Sequence, residues 1–250
     1  MKKIFITGAS SGIGESLARH YARQGAQLGL VARRADWLEK VAASISPRPE
    51  IYICDVRDIA ALKSAASHFI DKHGVPDVVI ANAGVSRGTM TEVEDDLKAF
   101  QEIFDINVMG MVNTFHPFVD AMKTKRQGTL VGIASVAGFR GIPGGGAYSA
   151  SKAAAISYCE SLRVELQPAG ISVVTICPGY IRTPMTAVNK FKMPFLIDVN
   201  EAAARFANAI DAKTSFTVIP WTMGIAARVL RVMPNWLYDR VFQHMPRKAR

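Results

Sequence analysis

The chain has 250 residues, of which 49% are hydrophobic and 20% are charged, and its formal net charge is +9. This is an ordinary globular composition, and the length suits one compact α/β domain with a substantial buried core. No apolar stretch reaches the roughly 18 residues that a membrane-spanning helix needs, which excludes a membrane-spanning protein. Cys54, Cys159 and Cys177 lie far apart without metal-ligand or redox-pair spacing, so we predict buried thiols and no metal site.

The first residues carry two lysines followed by a short apolar run. This run stops at Thr7 and Gly8, and it is too short for the apolar region of a signal peptide. Cysteines of this kind are typical of a reducing compartment. We therefore expect a cytoplasmic protein that is soluble or at most peripheral to a membrane.

Short apolar segments alternate with longer segments of helical periodicity along the chain. The predicted strands are residues 3–7, 27–32, 50–54, 78–81, 128–133, 171–177 and 216–219. The predicted helices are residues 14–24, 35–44, 59–73, 97–123, 147–166 and 200–212. Such alternation is typical of a parallel sheet covered on both faces. We predict one doubly wound Rossmann domain, α/β in class, with a seven-stranded, mainly parallel sheet over residues 1–220 and a basic helical extension over 221–250.

A glycine-rich turn separates the first predicted strand from the first predicted helix. It reads Thr7-Gly8-Ala9-Ser10-Ser11-Gly12-Ile13-Gly14, with the glycine spacing G-x-x-x-G-x-G. Glycines let the backbone approach a pyrophosphate closely, and the free N–H groups of a helix N-terminus favour its negative charge. We predict a dinucleotide site here, against the alternative of a flexible surface turn. Its residues are Gly8, Ser10, Ser11, Gly12, Ile13 and Gly14.

Arg33 and Arg34 follow the second predicted strand, where a site for NAD would place an acidic residue on the ribose hydroxyls. Guanidinium groups suit a 2′-phosphate instead. The sequence therefore predicts a preference for NADP(H), with NAD(H) as the alternative cofactor. The competing interpretation is that both arginines only end a solvent-facing loop.

Tyr148 and Lys152 lie four residues apart at the start of a predicted helix, so they share one helix face. This spacing alone also occurs by chance on exposed helices. Ser135, however, follows a predicted strand at the edge where open parallel sheets bind ligands. A nearby ammonium and an oxidised nicotinamide both favour the phenolate of a tyrosine. We predict that Tyr148 exchanges a proton with a substrate oxygen that Ser135 orients, while the nicotinamide exchanges hydride with carbon.

These motifs together resemble the short-chain dehydrogenase/reductase family in its compact form of about 250 residues. The resemblance covers residues 3 to about 184. It depends on an ordered series that comprises the glycine-rich turn, Asp55-Val56, Asn82-Ala83-Gly84, Asn107-Val108-x-Gly110, Ser135, Tyr148-x-x-x-Lys152 and Pro178-Gly179.

The resemblance implies further roles for several residues. Asp55 and Val56 would contact the adenine, Asn82, Ala83 and Gly84 would support the sheet beside the cofactor, and Lys152 would also bind the nicotinamide ribose. Asn107 would be a fourth catalytic residue that anchors a water in a proton relay from Lys152. Ile181 and Thr183, after Pro178 and Gly179, would lie near the nicotinamide carboxamide. Arg33 matches the basic position that favours NADP(H), whereas Ser11 stands where many NADP-preferring members have a basic residue.

The substrate is predicted to be a small-molecule carbonyl compound or alcohol. The glycine-rich stretch 138–146 leaves room for a bulky molecule, and residues 183–199 contain apolar side chains on what we interpret as a mobile lid. These side chains are Met185, Phe191, Met193, Phe195 and Leu196. They favour a hydrophobic substrate, unless they pack against the core of the subunit instead.

The C-terminal segment 221–250 has helical apolar spacing, a break at Pro234 and a basic end, Arg247-Lys248-Ala249-Arg250. Three interpretations stay open. It packs on a partner subunit, as the family's frequent dimers and tetramers imply, or it lies on an anionic membrane. Nucleic-acid binding is the third and least favoured interpretation, because a short basic end is usually only a solvated terminus, and we predict no nucleic-acid partner.

Two other functions compete with an oxidoreductase. A non-catalytic dinucleotide sensor would keep the glycine-rich turn but has little need for Ser135, Tyr148 and Lys152 together. A sugar-nucleotide epimerase uses a similar tyrosine and lysine, but it has a different glycine spacing and a sugar-binding lobe that this chain lacks.

Overall fold

A computed structural model describes residues 1–189 and 191–244. Within these residues, seven strands form one parallel sheet in the order β3-β2-β1-β4-β5-β6-β7. The strands are β1 (Lys3–Thr7), β2 (Gln27–Ala32), β3 (Glu50–Ile53), β4 (Val78–Ala81), β5 (Gly128–Ile133), β6 (Ile171–Pro178) and β7 (Phe216–Ile219). The predicted doubly wound domain is confirmed, and its sheet is parallel throughout.

Helices cover both faces of the sheet. They are α1 (Gly12–Arg23), α2 (Ala35–Ala43), α3 (Ile59–His73), α4 (Glu94–Phe104), α5 (Gly110–Lys125), α6 (Gly146–Leu166), α7 (Pro184–Ala187), α8 (Val199–Asp211), α9 (Trp221–Val232) and α10 (Asn235–Phe242). None of the helices in the described part of the chain is long and apolar enough to cross a membrane.

The core consists of two apolar layers, one on each face of the sheet. Alternate residues of β1 enter different layers, because successive side chains of a strand point to opposite faces. Ile4 and Ile6 pack with α1, α2 and α8, whereas Phe5 packs with α3, α5 and α6. Phe5 is fully buried, and its ring centroid lies 4.8 Å from the ring centroid of Phe118 and 5.6 Å from that of Phe69. Both layers hold the sheet rigid beneath its carboxyl edge.

The strand order places a topological switch point between β1 and β4, because the chain continues outward from them in opposite directions. Open parallel sheets bind ligands at such a point, beside the carboxyl ends of their strands. The turn after β1, Asn82 after β4, Ser135 after β5 and Gly179 after β6 all lie along this edge.

The predicted helix 97–123 is wrong as one continuous helix. It is α4 and α5, separated by the π-helical segment Asp105–Met109. The widened turn contains Asn107, whose side chain is bound by the backbone of Val85, 22 residues earlier. This long-range contact explains why helical periodicity alone does not reveal the break. Single π turns of this kind occur frequently at functional sites.

The C-terminal helices α9 and α10 are attached to the loop between β5 and α6. The Arg140 guanidinium donates to the carbonyl oxygens of Leu230, at 2.6 Å, and Met233, and to Asn235 Oδ1 at 2.8 Å. It also stacks on the Tyr238 ring at 4.0 Å. The extension predicted over 221–250 is therefore helical as far as it is described, and the basic residues 247–250 lie outside the described residues.

Candidate active site

A cavity of about 470 Å³ opens at the carboxyl edge of the sheet. Nearly all the predicted site residues line it, although they come from distant parts of the chain. These lining residues are Gly8, Ser10, Ser11, Gly12, Ile13, Arg33, Arg34, Asp55, Val56, Asn82, Ala83, Gly84, Ser135, Tyr148, Lys152, Pro178, Gly179, Ile181 and Thr183. Gly14 and Asn107 are the two predicted residues outside this lining.

The glycine-rich turn has the shape of a cradle for a pyrophosphate. Gly8 and Gly12 have φ angles of +69° and +61°, in the left-handed region that favours glycine. A Cβ atom at Gly8 would lie 2.7 Å from the Cα of Ala83, so a side chain there would fill the contact between the turn and β4. Asn82 Nδ2 fixes the turn by donating to the carbonyl oxygens of Thr7 (3.0 Å) and Gly8 (3.1 Å). The N-terminus of α1 then lies at the cavity, where its free N–H groups favour an anion.

Gly14 supports this turn from behind. A Cβ atom at Gly14 would lie 2.4 Å from the carbonyl oxygen of Gly8 and 2.5 Å from Asn82 Nδ2. Gly14 therefore lets α1 approach the turn closely, and it does not itself line the cavity.

Two arginines border the end of the cavity beside β2. Arg34 Nη2 donates to Ser11 Oγ at 2.7 Å and to Ser10 Oγ at 3.1 Å, and its guanidinium lies 4.6 Å from the Trp37 ring centroid. Arg33 Nη1 donates to Asp55 Oδ2 at 3.3 Å. The Arg34 guanidinium thus lies on the glycine-rich turn, and Arg33 lines the same cavity beside Asp55.

The Asp55 carboxylate is bound by basic residues. Arg57 donates to it from its backbone N–H at 2.9 Å and from Nη2 at 2.7 Å. Burial acts to raise the pKa of Asp55, but the hydrogen bonds from Arg57 and the charges of Arg57 and Arg33 lower this pKa to about 2. Asp55 is therefore an ionised anchor for the arginines at neutral pH.

Ser135, Tyr148 and Lys152 come together where β5 and α6 meet. The buried Ser135 side chain accepts from the Ala137 N–H at 3.1 Å and makes a hydrogen bond with Tyr148. Lys152 follows Tyr148 by one turn of α6, and its Nζ lies 5.8 Å from the tyrosine ring centroid. The same Nζ donates to the carbonyl oxygen of Ile133 at 2.9 Å. The structure thus brings the three predicted catalytic side chains to one wall of the cavity.

Burial sets the protonation states of this group. It raises the pKa of Tyr148, and the hydrogen bond with Ser135 only partly opposes this effect. Burial also lowers the pKa of Lys152, to about 8. A nearby ammonium favours the phenolate, as predicted from the sequence, but in the folded protein burial has the largest effect on the pKa of Tyr148 and raises it. Tyr148 is a neutral phenol at pH 7, which is the form that can donate a proton.

Asn107 lies beside the catalytic group but faces away from the cavity. Its Nδ2 donates to the Val85 carbonyl oxygen and to Ser151 Oγ, both at 3.0 Å, and its Oδ1 accepts from the Val85 N–H at 2.8 Å. A Cβ atom at Gly84 would lie 3.2 Å from Asn107 Oδ1 and 3.6 Å from Lys152 Nζ. Glycine at this position lets the loop after β4 lie between the two side chains.

Several lining residues were not predicted from the sequence. They are Val31, Ala32, Cys54, Val85, Ile106, Ile133, Ala134, Pro184 and Thr186, whereas Met185, predicted as part of the apolar lid, also lines the cavity. Most are apolar and carry no chemical signature, so only their positions after strands could have revealed them. Thr186 is different, because its Oγ1 accepts from the Thr183 N–H at 3.0 Å and donates to the Ile181 carbonyl oxygen at 2.6 Å. It fixes the short helix α7 beside the cavity.

Comparisons with known proteins identify the family of this chain. The family model described as short chain dehydrogenase matches residues 2–193. The chain belongs to the short-chain dehydrogenase/reductase family. The protein is thus a dehydrogenase/reductase, and its family binds nicotinamide dinucleotides.

The relatives of this short-chain dehydrogenase include proteins named only as oxidoreductases. It is 37% identical over 242 residues to an uncharacterized oxidoreductase of Myxococcus xanthus (strain DK1622), a match that covers 94% of this chain and 93% of that protein. It is 39% identical over 189 residues to the oxidoreductase UcpA of Escherichia coli (strain K12), covering 74% and 71%. The crystal structure of a short-chain dehydrogenase from Streptomyces avermitilis shares the fold, with a TM-score of 0.80, 24% identity and coverage of 97% and 98%.

The buried ammonium predicts an unusual dependence of stability on pH. Lys152 has a pKa of about 8 when folded, whereas the ordinary value is 10.5, so the unfolded chain binds more protons between these two values. Burial of the charged Lys152 therefore lowers the free energy of unfolding by its full amount below pH 8, and this loss disappears as the pH rises towards 10.5. We expect Lys152→Met to raise the free energy of unfolding at pH 7 by roughly 2 kcal/mol, after allowance for the lost hydrogen bond to Ile133.

Urea unfolding of both proteins at pH 7, 8, 9 and 10 measures this effect. The advantage of the Lys152→Met variant should shrink steadily above pH 8. Lys63→Met, at an exposed position of α3, serves as the control and should show no such trend. A Lys152→Met variant that is less stable than the wild type at pH 7 would contradict the expectation.

Proposed function

We propose that this short-chain dehydrogenase is an NADP(H)-dependent oxidoreductase that interconverts a carbonyl group and an alcohol on a hydrophobic small molecule. The observation that carries the proposal is the convergence of Ser135, Tyr148 and Lys152 on the cavity that also contains the glycine-rich turn and two arginines. The cradle at Gly8 and the two guanidinium groups fit a phosphorylated dinucleotide.

The protonated forms of Tyr148 and Lys152 are compatible with reduction of a carbonyl group. A bound nicotinamide supplies the hydride that reaches the carbonyl carbon. The Tyr148 hydroxyl donates its proton to the carbonyl oxygen, so that the oxygen becomes the hydroxyl of the alcohol. Ser135 Oγ hydrogen-bonds the same oxygen and orients it, as its contact with Tyr148 suggests. The positive charge of Lys152 stabilises the phenolate that remains, and the same ammonium is suited to bind the nicotinamide ribose.

We infer a positioning role for Asn107. All the polar atoms of its side chain are engaged with Val85 and Ser151, so it holds the loop after β4 against α6. The water-anchoring role in a proton relay that the family resemblance implies for Asn107 stays a prediction, and these contacts add a positioning role for its side chain. Any relay of protons from Lys152 would depend on the geometry that Asn107 maintains.

Removal of the Tyr148 hydroxyl should separate catalysis from cofactor binding. General acid catalysis contributes about 10²–10⁴ in rate, so we expect Tyr148→Phe to lower kcat by about a thousandfold. The dissociation constant for NADPH, measured by fluorescence titration, should change little. Tyr158→Phe is the matched control, because Tyr158 lies on the same helix and packs against Phe115 outside the cavity.

Unchanged turnover by the Tyr148→Phe variant would remove the tyrosine from the mechanism. Tight NADPH binding by a wild-type protein that turns over no carbonyl compound would instead favour the dinucleotide sensor.

Arg33 and Arg34 support the preference for NADP(H). Ser11 stands where many NADP-preferring relatives have a basic residue, but Arg34 extends to Ser11 Oγ and places its guanidinium there. Arg33 approaches the same end of the cavity from beside Asp55. A 2′-phosphate would meet two guanidinium groups and the two serine hydroxyls, whereas the hydroxyl of NAD would leave this charge unused.

Substitution of either arginine should therefore affect one cofactor selectively. Charge-assisted hydrogen bonds contribute about 1.5–3 kcal/mol, so we expect Arg33→Ala and Arg34→Ala each to raise KM for NADPH about 10- to 100-fold. KM for NADH should change less than about threefold. Steady-state kinetics with both cofactors measures this, and Arg48→Ala is the control, because Arg48 is an exposed arginine paired with Glu39 outside the cavity. Equal losses with NADPH and NADH would contradict the assignment.

Apolar side chains near the catalytic group support a hydrophobic substrate. Met185 on α7 and Ile181 line the cavity. Phe191, in contrast, packs on Tyr180 with the ring centroids 6.1 Å apart, so this part of the predicted lid serves packing. Met185 is 40% exposed in the cavity wall, where an apolar ligand would cover it.

A panel of carbonyl compounds tests this substrate class. We expect kcat/KM to be at least about tenfold higher for long-chain or alicyclic ketones than for small polar ketones, because each buried methylene contributes about 0.8 kcal/mol. Met185→Ser should lower kcat/KM for the apolar ketones and leave the value for small polar ketones almost unchanged. The highest kcat/KM on small polar ketones would count against a hydrophobic substrate.

A further inference from the structure

We propose that the outer face of the C-terminal helices binds the surface of an anionic lipid bilayer. This face, called the C-terminal surface below, consists of Trp221, Ile225, Val229 and Val232 on α9 and Trp236 on α10. The proposal concerns binding alone, and it does not depend on which substrate or cofactor the enzyme uses.

Large apolar side chains are exposed on this surface without a partner in the described part of the chain. Trp221 is 68% exposed, Val232 81% and Trp236 69%, and Ile225 and Val229 are each exposed by more than half. The four residues of α9 are spaced four, four and three positions apart, so they form one stripe along the helix. An apolar stripe of this kind is typical of a contact surface.

The opposite face of α9 is already used inside the protein. Gly224 and Ala227 are buried. Met223 packs closely on Gly179, because a Cβ atom added to Gly179 would lie only 2.6 Å from Met223 Cγ. Arg140 binds the C-terminal end of α9 and the start of α10. The helix pair is therefore held in an orientation that leaves the C-terminal surface outward.

Charge identifies a bilayer as the occupant. Residues 221–250 carry six basic residues against one acidic residue, which gives +5 of the net +9 of the chain. Arg228 belongs to the same side of α9 as the apolar stripe, and Arg240 is one turn after Trp236 on α10. Tryptophan, aliphatic and basic side chains on one helix face are the combination that lies in the interface of an anionic membrane.

The other occupants suit this surface less well. A second copy of the chain, packed symmetrically, would bring two segments of charge +5 together, and like charges oppose such a contact. A nucleic acid would match the charge, but its phosphates offer nothing to Ile225, Val229 and Val232. The bilayer satisfies both the charge and the apolar stripe.

Intrinsic fluorescence provides the test, because the three tryptophans of the chain are Trp37, Trp221 and Trp236. Trp37→Phe leaves the two tryptophans of the C-terminal surface as probes. The double variant Trp221→Phe, Trp236→Phe leaves only Trp37, on α2, as the matched control. Each protein is mixed with vesicles of phosphatidylglycerol and with vesicles of phosphatidylcholine.

We expect the Trp37→Phe protein to show a blue shift of its emission with phosphatidylglycerol vesicles and quenching by brominated acyl chains. Both signals should be much weaker with phosphatidylcholine and should decrease at high salt. The Trp37-only protein should show neither signal. In sedimentation with phosphatidylglycerol vesicles, Ile225→Ser combined with Val229→Ser should weaken binding about tenfold or more, whereas Ile53→Ser, at an exposed position of β3, should not.

Three results would overturn the proposal. The first is sedimentation with anionic vesicles without quenching by brominated lipids, because the charge alone would then account for binding. The second is no change with any vesicle. The third is emission that is already blue-shifted without lipid and moves to the red on dilution as a dimer dissociates, because a second copy would then cover the surface.

Discussion

The hydrogen bond from Lys152 Nζ to the Ile133 carbonyl oxygen is the constraint on which the catalytic arrangement depends. It joins α6 to the end of β5, and so it fixes Tyr148 relative to Ser135, which follows the same strand. Gly138 strengthens this joint, because its Cβ position lies only 2.7 Å from the Lys152 backbone and admits no side chain. A buried ammonium is costly, and the lowered pKa of Lys152 reflects that cost. The proposed role of this ammonium beside Tyr148 would account for a buried lysine that stability alone does not favour.

The same burial gives the two directions of the reaction different requirements. Burial raises the pKa of Tyr148, so in the proposed reduction of a carbonyl this phenol would hold the proton that the oxygen receives. Oxidation of an alcohol requires the phenol to lose that proton. The charge of Lys152 and the positive ring of an oxidised nicotinamide both favour this loss. Under the proposed mechanism, Tyr148 is a neutral phenol when no oxidised cofactor is bound, and the positive ring of an oxidised nicotinamide would add to the charge of Lys152 in favouring the phenolate.

The secondary-structure elements that could be predicted well from the sequence are those in which a continuous run of apolar residues is buried. Strands such as β5 are apolar runs in which every residue is buried, so their limits are visible in composition alone. The break at Asp105–Met109 was missed because its cause, the backbone of Val85, is distant in sequence. In the site, glycines and charged residues could be predicted because their residue types suit a dinucleotide. Ile106 and Ala134 are ordinary apolar residues, so only their position in the fold shows that they line the cavity. The contact of Arg34 with Ser11 was also beyond prediction, because it depends on the relative placement of β1 and β2.

The C-terminal helices belong to the catalytic domain in a physical sense. Arg140 lies between Ser135 and Tyr148 in sequence, and its guanidinium is bound by the end of α9 and by the Tyr238 ring. The Tyr238 hydroxyl in turn donates to the Gly141 carbonyl oxygen. The intervening loop contains glycines at 141, 144, 145 and 146 and has few side chains of its own to fix its path. Residues some 90 positions later therefore hold this loop, which leads directly to Tyr148 at the start of α6.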